Sequence, residues 1–265
     1  MAAPDPRRVT SLANPLVKLA RGLHLRKARE ASGLFLAEGL KIVTEAVDLG
    51  QAPRFLLHGP GADHPVLQRV VRATLQAGGE VVEVTREVLE KVARRDNPQA
   101  VLGVFRQRFG DLAALEPLGA PCWVALQAIR DPGNLGTIVR TADAAGCGGV
   151  ILVGECCDPF SVEAVRATMG SIFAVPIFKL DVDAFLAWRE RWPGSVIGTL
   201  LSAQVDYRAA DFRTPSLILM GNEQAGLPPE LAAACDVAVK IPMRGRADSL
   251  NLSVATGIMI YAATR

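Results

Sequence analysis

Six apolar runs punctuate the second half of this 265-residue chain: WVALQAI, GVILVG, AVPIF, SVIGTLL, SLILMG and VAVKIPM. None alternates apolar and polar residues strictly, which is the habit of strands buried on both faces of a parallel sheet. Between the runs, residues 135–145, 162–169, 184–192, 228–234 and 251–264 carry apolar side chains at helical spacing. Alternation of this kind specifies an α/β fold whose strand C-termini share one edge, where ligands collect. The loops after the strands, RDPGN, GECCDPFS, SAQVD, GNEQAGLPPE and RGRADS, hold most of this half's Gly, Asn, Asp and Glu. Function is therefore expected on that edge.

The first half has its own rhythm. GLFLAEG, PRFLLHG, EVVEVT and QAVLGVF read as short strands, separated by the helical patterns of LKIVTEAVDLG, HPVLQRVVRATLQAG and REVLEKVARR. RQRFGDLAALEPLGAPC breaks the pattern with Gly and Pro. The expected organisation is a small α/β domain over 1–107, a linker over 108–119 and a second domain over 120–265.

Arg7, Arg8, Lys18, Arg21, Arg26, Lys27 and Arg29 crowd the first thirty residues against Asp5 and Glu30, although the whole chain carries a net charge of only +2. Two readings of that tract stand: a solvated helix face, or a surface for nucleic acid. Mean hydropathy is +0.24, but no stretch approaches the ~18 apolar residues of a membrane span, so no membrane association is expected. The N-terminus lacks the apolar core of a signal peptide, and Pro4 and Pro6 argue against a transit-peptide helix. Five cysteines without a C-x-x-C pair suggest neither a disulfide framework nor a zinc site. A cytoplasmic protein without a metal is the expectation.

Three stretches carry the chemistry. RDPGNLGTIVRTADAAGCGGVILVG (130–154) reads as a turn, a helix and a returning strand, with Asn134 as the expected N-cap and Gly146 as the expected C-cap. Such a unit offers a phosphate site at the helix N-terminus. It lacks both the G-x-G-x-x-G spacing of a dinucleotide-binding dehydrogenase and the Lys-Ser/Thr pair of a P-loop. Arg140 is either a solvated arginine or one that swings towards a phosphate. In LMGNEQAGL, Gly221 would let a ligand approach the backbone, while Asn222 and Glu223 offer hydrogen-bonding heads. In IPMRGRADSLNLSVATGI, Ser249 could simply cap a helix. Leu250 between Ser249 and Asn251, near Met243, also suits a slot with an apolar floor and polar walls, shaped for an adenine-like ring.

In order and spacing, NLGTIVR, MGNEQAGL and IPMRGRADSLNLSVATGI resemble the signature motifs of the SPOUT class, specifically the SpoU/TrmH-type RNA 2'-O-ribose methyltransferases. SLANPLVKLARGLHLRKAREASGLFLAEGLKIVTEAV resembles the L30e-like substrate-binding extension that precedes some of them. The resemblance implies an α/β fold: a parallel-sheet SPOUT domain with a deep trefoil knot, preceded by a small L30e-like domain, in a homodimer. It implies S-adenosylmethionine bound by Thr199, Leu200, Gly221, Asn222, Ile241, Met243 and Leu250. It places Asn134, Arg140, Glu223, Ser249 and Asn251 around the reacting ribose, and Arg21, Arg26 and Lys27 on RNA. Arg140 is the residue assigned as base in this family. Because arginine is normally protonated far above neutral pH, it serves as base only if RNA phosphate and burial shift it strongly, and otherwise clamps the phosphate. The implied substrate is structured RNA, 23S rRNA in the first instance. A tRNA 2'-O-methyltransferase and a non-catalytic RNA-binding or ribosome-assembly protein are the alternatives. Deleting residues 1–106 is expected to spare cofactor binding and to weaken RNA binding.

Overall fold

A computed structural model of the chain describes residues 7–61 and 64–265. Pro4 and Pro6, and the side chain of Arg7, lie outside the described residues. The chain divides into two compact units, one running to Gln107 and including Asp158–Ala174, the other formed by Arg108–Cys157 and Val175–Arg265.

In chain order the elements of the first half are β1 (Arg7–Val9), α1 (Pro15–Gly22), α2 (Arg26–Ser32), β2 (Leu34–Glu38), α3 (Leu40–Asp48), β3 (Phe55–His58), α4 (Pro65–Gln76), β4 (Glu80–Val84), α5 (Arg86–Ala93) and β5 (Val101–Arg106). The strands form one mixed sheet in the order β1-β4-β3-β5-β2, parallel as far as β3 and antiparallel at β5 and β2. The four longer strands match the apolar runs. The basic tract folds as the two short helices α1 and α2. Asn14 caps α1 by accepting from the Leu16 N–H at 2.9 Å, and Pro15 follows at its first position. Val17, Ala20 and Leu23 are then fully buried against Leu57, Val82 and Val92 of the same core.

The tract is not uniformly a surface. Arg21 and Lys27 are exposed, and exposed Arg26 pairs with Glu30 one helical turn on. Arg29, four per cent exposed, points inward, where its Nε donates to Asp158 Oδ2 at 2.7 Å and its Nη1 to the Leu23 carbonyl at 2.7 Å.

The second half adds β6 (Cys122–Gln127), α6 (Pro132–Ala144), β7 (Val150–Val153), α7 (Val162–Thr168), β8 (Ile177–Leu180), α8 (Val182–Arg189), β9 (Val196–Thr199), β10 (Val205–Asp206), β11 (Ser216–Met220), α9 (Pro229–Ala233), β12 (Val237–Lys240) and α10 (Leu252–Ala263). Its seven strands pair throughout in parallel, in the order β10-β12-β9-β11-β6-β7-β8. All four residues of β7 and all five of β11 are buried, which is why these runs showed no period of two. The helix α6 buries Leu135, Ile138, Val139 and Ala142, each larger side chain contributing roughly 1.5–3 kcal/mol of burial.

One segment departs from the expected continuous domain over 120–265. Asp158–Ala174, with α7, belongs to the first unit. Phe160 and Phe173 stack against Phe35 at 5.0 and 5.7 Å, and Phe173 against Phe105 at 4.7 Å. Besides the Arg29–Asp158 pair, Arg166 Nη2 donates to Glu38 Oε2 at 2.6 Å and Gln51 Nε2 to the Phe173 carbonyl at 2.7 Å.

Candidate active site

Four neighbouring strands, β12, β9, β11 and β6, end on one rim of the parallel sheet, and the loops that leave them build the site. After β6 the chain turns through Ala128 at φ +45°, a left-handed conformation that costs a non-glycine residue on the order of 1 kcal/mol. Asp131 then caps α6 by accepting from the Asn134 N–H at 2.6 Å, with Pro132 at the first helical position. This corrects the expected N-cap. Asn134 sits inside the first turn, and its side chain is left to the site. Gly146, at φ +68°, lies one residue beyond the C-cap Ala145. The Asp-Pro pair was the sequence signal for the true cap.

At the other helix, Asn251 rather than Ser249 is the N-cap: its Oδ1 accepts from the Ser253 N–H at 2.9 Å and the Val254 N–H at 3.4 Å. Its Nδ2 donates to Asn134 Oδ1 at 2.9 Å, and Asn134 Nδ2 donates to Glu223 Oε1 at 3.4 Å. Three residues separated by 117 and 89 positions in the chain thus form one polar chain. The Ser249 hydroxyl donates to Asp248 Oδ1 at 3.2 Å.

Beside this chain lies a cavity of about 360 Å³, lined by Thr199 at the end of β9 and Leu200 after it, Gly221–Asn222–Glu223 after β11, and Ile241, Met243, Ser249 and Leu250 after β12. All seven residues expected to hold a cofactor line it. Its size falls within the ~300–1,000 Å³ of small-molecule sites. The Thr199 hydroxyl is buried without a hydrogen-bond partner among the described residues. A buried orphan of this kind is costly unless a ligand satisfies it. Gly221 also serves the loop itself. A Cβ there would stand 2.2 Å from the Gly226 carbonyl carbon, so the loop's own tight closure requires the glycine.

Arg140 stands apart. Six residues beyond Asn134 on α6, it lies about 9 Å further along the axis and on a different face. It is exposed, does not line the cavity, and makes no hydrogen bond or ion pair among the described residues. By contrast, Arg208 hydrogen-bonds Asp206 at 2.9 and 2.5 Å and holds that carboxyl at a pKa of about 2. Next to Arg140, Thr141 meets α10 at Gly257, where a Cβ would lie 3.6 Å from Thr141 Cγ2. The outer face of α10 presents Val254 and Tyr261, 52 and 54 per cent exposed.

Ala128 escaped the sequence reading because nothing in an alanine announces a positive φ. Among the described residues no cluster of three or more His, Cys, Asp or Glu is placed to hold a metal, and no helix is long and apolar enough to cross a membrane.

Residues 121–261 match the profile described as the SpoU rRNA Methylase family, and residues 14–103 match the MRM3-like substrate binding domain. The chain is 28% identical, over 96% of its length and 98% of the relative's, to the 23S rRNA (guanosine(2553)-2'-O)-methyltransferase RlmP of Bacillus subtilis. It is 30% identical, over 99% of its length and 93% of the relative's, to the 23S rRNA (uridine(2479)-2'-O)-methyltransferase of Streptomyces viridochromogenes. Among solved structures, the AdoMet-bound rRNA methyltransferase from Sinorhizobium meliloti superposes with a TM-score of 0.90 at 50% identity, covering 97% of each chain.

Proposed function

The chain belongs to the SpoU rRNA methylase family, and on that premise we propose that it methylates a ribose 2'-hydroxyl of 23S rRNA with S-adenosylmethionine as donor. The observation that carries this reading is the convergence of the three loops on one cavity beside the Asn134–Glu223–Asn251 chain.

The residues present fit the donor. The apolar side chains of Leu200, Ile241, Met243 and Leu250 suit the faces of an adenine ring, and the orphaned Thr199 hydroxyl offers a polar contact. When bound, the donor supplies a methyl group on a positively charged sulfur. The protein's share is placement, since a transfer of this kind gains chiefly from proximity and alignment. Asn134 and Asn251 present amide groups to the ribose, and Glu223 offers a carboxylate acceptor within the same network. Arg140 is a fork of donors on an exposed helix face, suited to grip an RNA phosphate and so carry the 2'-oxygen into line. Arg21, Arg26 and Lys27, exposed on the first unit, are read as RNA contacts of that unit.

The active species is read as a homodimer. The Val254–Tyr261 face of α10, adjoining the helix that bears Arg140, is the surface that a second copy would cover. The trefoil knot is read into the path after β12, because α10 returns to pack on α6, β6 and β11. A cytoplasmic setting belongs to the same proposal, since the five cysteines of the sequence include no C-x-x-C pair.

Titrating the full-length protein with S-adenosylmethionine by calorimetry is expected to give saturable binding at one site per chain, abolished by Leu250→Arg. Absence of binding, or binding indifferent to that substitution, would dismiss the cavity as the donor site.

A further inference from the structure

The cavity-lining position of Asn222 invites the reading that it touches the cofactor, but its hydrogen-bonding groups are already spent. Its Nδ2 donates to the Ala128 carbonyl at 2.8 Å and to Glu223 Oε2 at 3.4 Å. Its Oδ1 accepts from the Gln224 N–H at 2.9 Å and the Ala225 N–H at 3.2 Å. Its backbone N–H donates to the Gly226 carbonyl at 3.1 Å, and its carbonyl accepts from the Gly226 N–H at 2.9 Å. An asparagine side chain has two donor hydrogens and two acceptor lone pairs, so no capacity remains for a ligand.

What those bonds join is informative. Ala128 holds its left-handed φ of +45° between two fixed points, its own N–H bonded to the Val153 carbonyl at 3.0 Å and its carbonyl to Asn222. A strained backbone of this kind persists only where its surroundings over-determine it. The turn it makes leads directly into Asp131 and Asn134. At the other end of the same side chain, Glu223 accepts from Asn222 through one oxygen and from Asn134 through the other. One amide therefore fixes both approaches to the polar chain.

We propose that Asn222 is a positioning residue, which ties the Ala128 turn to the loop bearing Glu223 and sets where Glu223 stands relative to Asn134 and Asn251. The inference rests on the reading of this site as a methyltransferase centre. It departs from that reading's assignment of Asn222 to the cofactor. Replacing Asn222 with alanine frees Glu223 and the Ala128 turn while removing no group that the donor needs. In Asn222→Asp the Oδ1 acceptor shared by the Gln224 and Ala225 N–H groups remains, but a carboxylate oxygen now faces the Ala128 carbonyl and Glu223. Two adjacent carboxylates oppose each other's ionisation, so a rate that needs ionised Glu223 has its acid limb moved to higher pH.

The test measures methyl transfer from labelled S-adenosylmethionine to an unmodified 23S rRNA transcript, together with calorimetric donor affinity. For Asn222→Ala, turnover at saturating donor and RNA is expected to fall at least tenfold with donor Kd within threefold of wild type. For Asn222→Asp a similar loss comes with the raised acid limb, a change that a merely structural role would not produce. Should Asn222→Ala not fold, Asn222→Asp carries the test alone, because it keeps the loop's own Oδ1 acceptor. Donor affinity weakened tenfold or more, or turnover left unchanged, overturns the proposal. Wild-type protein in the same assay separates the two levels, since its failure to methylate would indict the proposed function and not the role of Asn222.

Discussion

Alanine in place of Arg140 is expected to lower methyl transfer to RNA at least ~1,000-fold while donor affinity stays within threefold. The size follows from what the guanidinium does. Loss of one well-placed charge contact at a transition state costs about 10²–10³, and loss of the alignment it enforces adds to this. The selectivity follows from its place: Arg140 is exposed, lies off the cavity, and makes no ion pair among the described residues. Removing it should disturb neither fold nor donor pocket. Arg140→Lys restores charge without the planar fork and is expected to recover only a small part of the rate. Single-turnover methylation and calorimetry on the same preparations decide it; a variant with near wild-type rate would remove Arg140 from the site.

A chain beginning at residue 108 is expected not to yield a folded monodisperse protein, although it contains the entire region matched by the methylase profile. Phe160, Val165, Ile172 and Phe173 are buried as part of the first unit. At roughly 1.5–3 kcal/mol each, their exposure approaches the ~5–15 kcal/mol that holds a whole domain together. The truncation also strips Asp158 of Arg29 and Arg166 of Glu38. This outcome differs from the expectation that a deletion of residues 1–106 spares cofactor binding while weakening RNA binding, and the same fragment decides between the two. Gel filtration and thermal unfolding of the fragment are the readouts; a single sharp peak with cooperative melting would contradict the assignment of Asp158–Ala174.

Much of the architecture was legible because burial on both faces leaves a plain mark in sequence. VILV and SLILM are apolar throughout, and both became central strands. The rim was legible too, because loops that must turn and bind use Gly, Asn, Asp and Glu. Three things were not. Arg29 looked like its basic neighbours until its partner appeared 129 residues away. Asn134 looked like a cap because capping and site chemistry favour the same residue types. Arg140 looked close to the turn in sequence, yet a helix carries six residues about 9 Å and onto another face. The first turned on a partner distant in sequence, the other two on the local geometry of a helix and its cap.

The most direct test is to incubate the full-length protein with unmodified 23S rRNA and trideuteromethyl S-adenosylmethionine, then digest the RNA and locate the label by mass spectrometry. The account predicts the deuterated methyl on the ribose of a single 23S nucleotide. Label on a base, label confined to tRNA in a mixed sample, or no transfer at all would contradict it.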